Sequence, residues 1–180
     1  MFQTYDSVLR PGSAIYCSAP ITSGRRYLKW LTGRRERHAI DDLSEADRRL
    51  HYQQVIEPNR LHAKQIVDRL RDRTGKPVID PTAVGPIDGW KQNDWVSFWE
   101  DVIARFAFEV VLIDGWEFSY GCTHEFWFAT TRGLACHDES GEALRLTDAT
   151  GRIRSAVAEL KQANADTTKL QRVLDLLKAK

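Results

Sequence analysis

The segment 119–125 combines residue types that could bind an anion and act on it. Ser119 and Gly121 bring a hydroxyl group and a residue without a side chain to the start of a predicted helix, where free backbone N–H groups favour negative charge. Glu125 lies on the first turn of that helix and can point back into the same cleft. Because a carboxylate beside an anion site is unfavourable unless the ligand requires it, Glu125 is a candidate catalyst.

A second candidate anion site follows the first predicted strand. The loop 18–24 is small and rich in hydroxyl groups, and its backbone N–H groups could meet an anion. The candidate binding residues in this loop are Pro20, Ile21, Thr22 and Gly24. A run of basic residues from Arg25 to Arg37 comes next, which is typical of a solvated helical face. The alternative is a lid that carries arginines toward a phosphate.

Hydrophobic periodicity indicates the elements that must position these loops. Short apolar runs predict strands at residues 13–17, 77–81, 108–113 and 134–137, with a hairpin arm at 143–146. Helical spacing predicts one helix from Pro58 to a cap at Gly75, one from a cap at Asn93 to Phe106, and one from His124 to Arg132 capped by Thr123. An amphipathic tail covers 152–180, with a break near 164–167.

Helices that alternate with buried strands imply a parallel sheet covered on both faces. We therefore expect a single α/β domain over residues 1–180, a Rossmann-like (flavodoxin-like) three-layer sandwich with a mostly parallel sheet of about five strands. A charged helical insertion is expected over 25–58, and C-terminal helices over 151–180 are expected to pack without chemistry. Ligands of such sheets bind outside the carboxyl ends of the strands, so the two candidate loops should meet there.

Composition excludes several function classes. The 180 residues carry a net charge of +1, whereas proteins that bind polymeric nucleic acid need a basic surplus. The mean hydropathy is −0.45, and no apolar run reaches the roughly 20 residues that span a membrane. The N-terminus lacks a secretory signal, and the three cysteines fit neither a disulfide framework nor a zinc site. We expect a cytoplasmic protein, with no metal or cofactor indicated by the five histidines.

Aromatic residues are concentrated between Trp90 and Phe128. Such a cluster usually packs in a core, and the alternative is that part of it lines a pocket for a flat ligand. The phenylalanines at 98, 106, 108 and 128 are expected in the core. Trp116 and Tyr120 lie in the loop that would border a ligand. For Trp90 and Trp95 the sequence does not distinguish a place in the core from one in the pocket wall.

Several short motifs together resemble the nucleoside 2-deoxyribosyltransferase superfamily, in particular a small, uncharacterised branch of it. In order along the chain, the motifs are Tyr16-x-x-x-Pro20, Asn59 with Ala63, Gly75 before Val78-Ile79-x-Pro81, and Asp114-Gly115-Trp116-Glu117-x-Ser119-x-Gly121-x-x-x-Glu125-x-x-x-Ala129. The Ser-x-Gly-x-x-x-Glu spacing is also similar to that of the nucleotide 5′-monophosphate N-glycoside hydrolases of the same superfamily. The transferases carry Asp where Ser119 stands, and a Ser at this place implies a phosphate ligand.

The resemblance implies cleavage or transfer of the base–sugar bond of a nucleotide or nucleoside, a reaction with an oxocarbenium-like transition state that a carboxylate can stabilise or trap. Glu125 would be the nucleophile, and Tyr16 would donate a hydrogen bond to it. Asp101 would be the second acid, with Asp94 as the alternative. The phosphate would lie against Ser119 and the loop 22–24. The resemblance also implies a homodimer or a larger homo-oligomer.

Each of these residues also has a simpler interpretation. Tyr16 could be an ordinary core tyrosine, and Asp101 could pair with Arg105 one helical turn away. His124 and Glu125 diverge by about 100° on a helix, so one of them should face away from a shared site. The whole chain could instead be a non-catalytic nucleotide-sensing module, or an interaction protein whose C-terminal helices bind a partner.

Overall fold

A computed structural model describes residues 2–33 and 43–179 of the chain. The strands are β1 (Ala14–Ser18), β2 (Val78–Ile79), β3 (Ala107–Leu112) and β4 (Ala135–Asp138). The helices are α1 (Phe2–Val8), α2 (Arg25–Thr32), α3 (Glu45–His51), α4 (Glu57–Thr74), α5 (Gln92–Phe106), α6 (Tyr120–Thr131), α7 (Leu146–Gln162) and α8 (Thr168–Lys178). A π-helical turn, Tyr52–Ile56, joins α3 to α4 without a break.

The four strands form one parallel sheet in the order β2-β1-β3-β4, which confirms the predicted α/β class. Helices cover both faces because successive side chains of a strand point to opposite sides. On one face, Ile15 and Cys17 of β1 pack against the apolar stripe of α4. On the other face, Ala14 and Tyr16 belong to a larger core built with α5, α6, α7 and α8.

Several predicted boundaries are corrected. The hairpin arm at 143–146 contributes only an isolated antiparallel bridge between His137 and Ala143, so the described residues form four strands instead of about five. Helix α5 is capped at Lys91, whose N–H donates to the Asp94 carboxylate, and not at Asn93. Helix α6 begins at Tyr120 with Ser119 as its cap, and not at His124 with Thr123.

Other predictions are confirmed. Gly75 ends α4 in the left-handed conformation (φ 63°) that glycine adopts easily, and the tail breaks between α7 and α8 as expected. Phe106 is fully buried, whereas Phe108, also expected in the core, is 38% exposed. Arg34, Arg35 and Arg37 of the basic run lie outside the described residues. Within the described ranges, no helix has the length and apolar character needed to cross a membrane.

Candidate functional site

Glu125 lies at the carboxyl edge of the sheet, held by two hydroxyl groups of β1. The Tyr16 hydroxyl donates to Oε1 of Glu125 at 2.8 Å, and the Ser18 hydroxyl donates to Oε2 at 2.6 Å. Tyr16 and Ser18 are both fully buried, so neither hydroxyl is free to turn toward solvent. Each carboxylate oxygen therefore has one fixed donor, which sets the plane and the direction of the carboxylate.

The strand and the helix together account for this arrangement. Tyr16 and Ser18 are two residues apart on β1, and the alternation of a strand places them on the same face. Helix α6 follows the end of β3, next to β1 in the sheet, and its second turn brings Glu125 over that face. The neighbouring His124 bonds Glu100 of α5 instead, with Nε2 and Oε1 2.8 Å apart, so the two adjacent side chains diverge as expected.

Burial dominates the electrostatics of the pair. Desolvation raises the pKa of Glu125 from 4.5 to about 7, even though the hydrogen bonds from Ser18 and Tyr16 act to lower it. The pKa of Tyr16 is raised well above its usual value, chiefly by burial and next by the adjacent Glu125 carboxylate. Tyr16 therefore stays protonated and acts as a hydrogen-bond donor, whereas Glu125 changes charge near neutral pH.

A cavity of about 890 Å³ opens beside Glu125. Its aromatic wall consists of Tyr27, Trp95, Trp99, Phe118 and Tyr120, and its cationic side chains among the described residues are Arg60 and Lys169. Arg60 is anchored by two bonds from its guanidinium to the Thr82 carbonyl, at 3.0 and 2.8 Å. The Lys169 ammonium lies 5.5 Å from the centre of the Tyr120 ring. The cavity thus combines flat apolar surfaces with positive charge and, among the described residues, the carboxylates of Glu125 and Asp166.

The structure brings five of the eleven predicted site residues together. The five that line the cavity are Ile21, Thr22, Ser119, Gly121 and Glu125. Tyr16 reaches it only through its bond to Glu125. Ser119 is the cap of α6 and accepts a long hydrogen bond, 3.5 Å, from the Cys122 N–H. These residues connect the loop after β1 with the loop after β3, as the sequence predicted.

Pro20 and Gly24 support the first loop from behind. Both are buried and neither lines the cavity. Gly24 has a φ of 90°, and a Cβ added there would lie 2.9 Å from Cβ of Pro20. Glycine is therefore required at this position for both its conformation and its small size.

The two predicted second acids lie outside the site. Asp101 is exposed, because the buried face of α5 consists of Trp99, Val102, Ile103 and Phe106. Asp94 is exposed as well, and its carboxylate is occupied as the cap of α5, accepting from the Lys91 N–H at 2.7 Å. Neither carboxylate lines the cavity. The assignment of Asp101 or Asp94 as a group that contacts a ligand in this cavity is therefore not supported by the geometry.

Trp116 is also placed differently from the prediction. It is 1% exposed, packs on Phe126 and lines a separate cavity of about 480 Å³ next to β3 and α7. The 3-10 turn Trp116–Phe118 rotates this side chain away, so that Phe118 and Tyr120 line the large cavity instead. The indole N–H of Trp116 is buried and has no acceptor among the described residues.

Sequence reasoning missed three contributors to the site. Ser18 could have been found, since any residue two positions from Tyr16 on β1 shares its face. His51 and Asn59 hold the first loop through its carbonyl groups; the sequence does not point to His51, whereas Asn59 belongs to a motif of the resemblance. The tail also lines the cavity, through Leu160, residues 164–166, Lys169 and Leu170, although its sequence predicts packing alone.

The described residues also show whether a metal centre or a reactive cysteine lies elsewhere in the chain. The described residues include no group of three or more His, Cys, Asp or Glu side chains placed to hold a metal ion. The three cysteines are buried and free, and burial raises the pKa of the Cys122 thiol to about 12, so this thiol is a poor nucleophile at neutral pH.

Comparison of the chain with protein families, curated proteins and solved structures finds no match.

Proposed function

We propose that this protein is an N-glycosidase that cleaves or transfers the base–sugar bond of a (deoxy)nucleoside 5′-monophosphate, with Glu125 as the nucleophile. The observation that carries the proposal is a partly buried carboxylate that two buried hydroxyl groups hold at the wall of a large cavity. The resemblance of the segment 114–129 to the nucleoside 2-deoxyribosyltransferase superfamily supports the same chemistry.

The proposed reaction makes direct use of this carboxylate. As the bond between C1′ and the base nitrogen breaks, its electron pair leaves with the base, and positive charge develops on the sugar. An oxygen of Glu125 bonds to C1′ and gives a glycosyl ester, which water or a second base then attacks. A pKa of about 7 leaves the ionised form available at neutral pH while keeping the carboxylate weakly solvated, and both conditions favour attack.

The cavity suits a ligand with an aromatic base and an anionic group. The rings of Trp95, Trp99 and Tyr120 offer flat surfaces for stacking, whereas Arg60 and Lys169 supply positive charge for a phosphate. The proposal includes a Rossmann-like (flavodoxin-like) fold, supported by the parallel order β2-β1-β3-β4 with helices on both faces. It also includes a cytoplasmic location, which the cysteine usage favours, and a homodimer or larger homo-oligomer, which the resemblance implies.

The same cavity supports a second candidate, a nucleotide-binding module without catalysis. Among the described residues, the carboxylates that line the cavity are Glu125 and Asp166. Hydrogen bonds from Thr168 lower the pKa of Asp166, so this group is ionised at neutral pH and does not donate a proton to a departing base. A site with a held carboxylate and no second acid is what a sensing module would show.

The deciding experiment incubates the purified protein with the common ribo- and deoxyribonucleoside 5′-monophosphates and separates free bases by chromatography. The variants are Glu125→Gln and, as a matched control, Glu142→Gln at an exposed position. Release of a base by the wild type and the control but not by Glu125→Gln supports the enzyme. Full activity in Glu125→Gln removes Glu125 as the nucleophile. Saturable binding of a nucleotide without release of base supports the sensing module, and absence of both refutes both candidates.

A further inference from the structure

Two buried side chains hold the backbone of residues 21–24 from outside the cavity. The Asn59 side-chain amide donates to the carbonyl oxygens of Ile21 and Ser23, each at 2.9 Å. Nε2 of His51 lies 2.9 Å from the Thr22 carbonyl oxygen, and because a carbonyl only accepts, this nitrogen carries the proton. His51 and Asn59 are each 3% exposed. Three successive carbonyls of one loop are therefore bound by side chains of the segment 45–74.

Both side chains are themselves fixed in place. Nη1 of Arg26 donates to Oδ1 of Asn59 at 3.0 Å, so the amide can only present its N–H groups to the loop. The His51 ring packs against the rings of Tyr27 and Trp30, with centroid distances of 5.7 and 5.1 Å. These contacts keep the donors aimed at the loop in the absence of any ligand.

The orientation of the carbonyls determines that of the N–H groups. Every described peptide bond is trans, and in a trans peptide the N–H points opposite to the carbonyl of the same unit. The N–H groups of Thr22, Ser23 and Gly24 consequently point away from Asn59 and His51, and none has an acceptor among the described residues. Residues 21–23 line the large cavity, whereas Asn59 and His51 do not.

We propose that Asn59 and His51 are positioning residues that determine the preference for a phosphorylated substrate. They hold successive peptide units of this loop so that the N–H groups of Thr22 and Ser23 face the cavity and bind the phosphate together. Consecutive backbone N–H groups that point to one side form a concave anion site. Arg60 and Lys169 add positive charge from other walls of the same cavity. The identity of the ligand as a nucleotide rests on the function proposed above.

The test compares a nucleotide with its nucleoside in variants of the two positioning residues. Isothermal titration calorimetry measures the affinity for each nucleoside 5′-monophosphate of the panel, for the matched nucleoside and for inorganic phosphate. In Asn59→Ala and His51→Leu, we expect nucleotide binding to weaken about tenfold or more, since hydrogen bonds to a charged group are lost, and nucleoside affinity to stay within about twofold. If the protein turns over nucleotides, KM should rise and kcat should stay nearly constant.

Two further variants separate positioning from a structural role. His51→Gln keeps a donor that can reach the Thr22 carbonyl and should restore most of the nucleotide preference. The control Gln54→Ala, at an exposed position of the same segment, should behave as wild type. Variants that melt at lower temperature but keep the wild-type preference for nucleotide over nucleoside would overturn the inference, as would a wild type without that preference. A third outcome separates the two proposals: nucleotides bind, the variants lose the preference for nucleotide over nucleoside, and no base is released. In that case the inference about Asn59 and His51 stands and the proposed enzymatic activity is refuted.

Discussion

The replacement Glu125→Gln should increase the free energy of unfolding, and this increase should occur only at pH values above about 4.5. The substitution keeps the size of the side chain, and the hydroxyl groups of Tyr16 and Ser18 can each donate or accept, so both can bond the new amide. It removes the charge that burial disfavours. A residue proposed to act on substrate is thus predicted to reduce the stability of the folded state, as occurs where active sites store unfavourable interactions.

The size of the effect follows from the pKa of Glu125, which rises from 4.5 to about 7 on folding. Between these values the unfolded chain has lost the proton and the folded protein still holds it, so the free energy of unfolding falls as pH rises. Each unit of pKa corresponds to about 1.4 kcal/mol, which gives a total of about 3 kcal/mol above pH 8. Below pH 4.5 the carboxyl group is protonated in both states and the penalty is absent.

Urea denaturation of the wild type, Glu125→Gln and the control Glu142→Gln at pH 5 and pH 8 measures this effect. The difference in unfolding free energy between Glu125→Gln and wild type should be about 2 kcal/mol larger at pH 8 than at pH 5, by the same linkage. The control should show no such change. A difference that is equal at both pH values, or that shrinks toward pH 8, would refute the claim that burial raises the pKa of this carboxyl group.

Three more predictions test other parts of the site. Tyr16→Phe removes a hydrogen-bond donor to the Glu125 carboxylate and so should raise the pKa of Glu125 further. If the reaction requires ionised Glu125, kcat/KM of the wild type should be half-maximal near pH 7, and that of Tyr16→Phe at a higher pH. Asp101→Asn should leave kcat within about twofold, because Asp101 is exposed and outside the cavity; a large loss would return it to the catalytic machinery. Burial lowers the pKa of His51 from 6.5, so the contribution of His51 to stability should decrease as pH falls below 6.5, opposite in sign to that of Glu125. Between pH 7.5 and pH 5, the melting temperature of His51→Gln should therefore change less unfavourably than that of the wild type. An equal change in the two proteins would contradict the burial of a neutral ring.

The parts of the fold that depend on local pattern could be predicted from the sequence. The apolar runs of β1 and β3 and the stripe of α4 are set by which side chains face a core, and this periodicity is a property of neighbouring residues. The bond between Tyr16 and Glu125, which joins residues 109 positions apart, is of another kind. Periodicity could not give it, and the expectation rested on the resemblance of the motifs.

The residues that the structure places away from the large cavity have separate physical reasons for their positions. The exposure of Asp101 could have been read from the sequence, because Trp99, Val102, Ile103 and Phe106 define the buried face of α5 and position 101 falls outside it. The direction of Trp116 could not, because it lies in a short irregular turn that follows no repeating geometry. The part of α8 in the cavity depends on how the tail packs against α6, a tertiary property that an amphipathic pattern does not specify.

The surroundings of Glu117 and Glu125 explain why Glu125, and not Glu117, is the proposed nucleophile. Glu117 is 9% exposed in its side chain and forms an ion pair with Arg25, which is how a folded protein usually compensates a buried charge. Glu125 has only hydroxyl donors, and no described cationic group forms an ion pair with it. A carboxylate that serves stability would have such a partner. In the proposed reaction the missing positive charge develops on the sugar as the base departs, so the site is electrostatically complete in the transition state and incomplete before it.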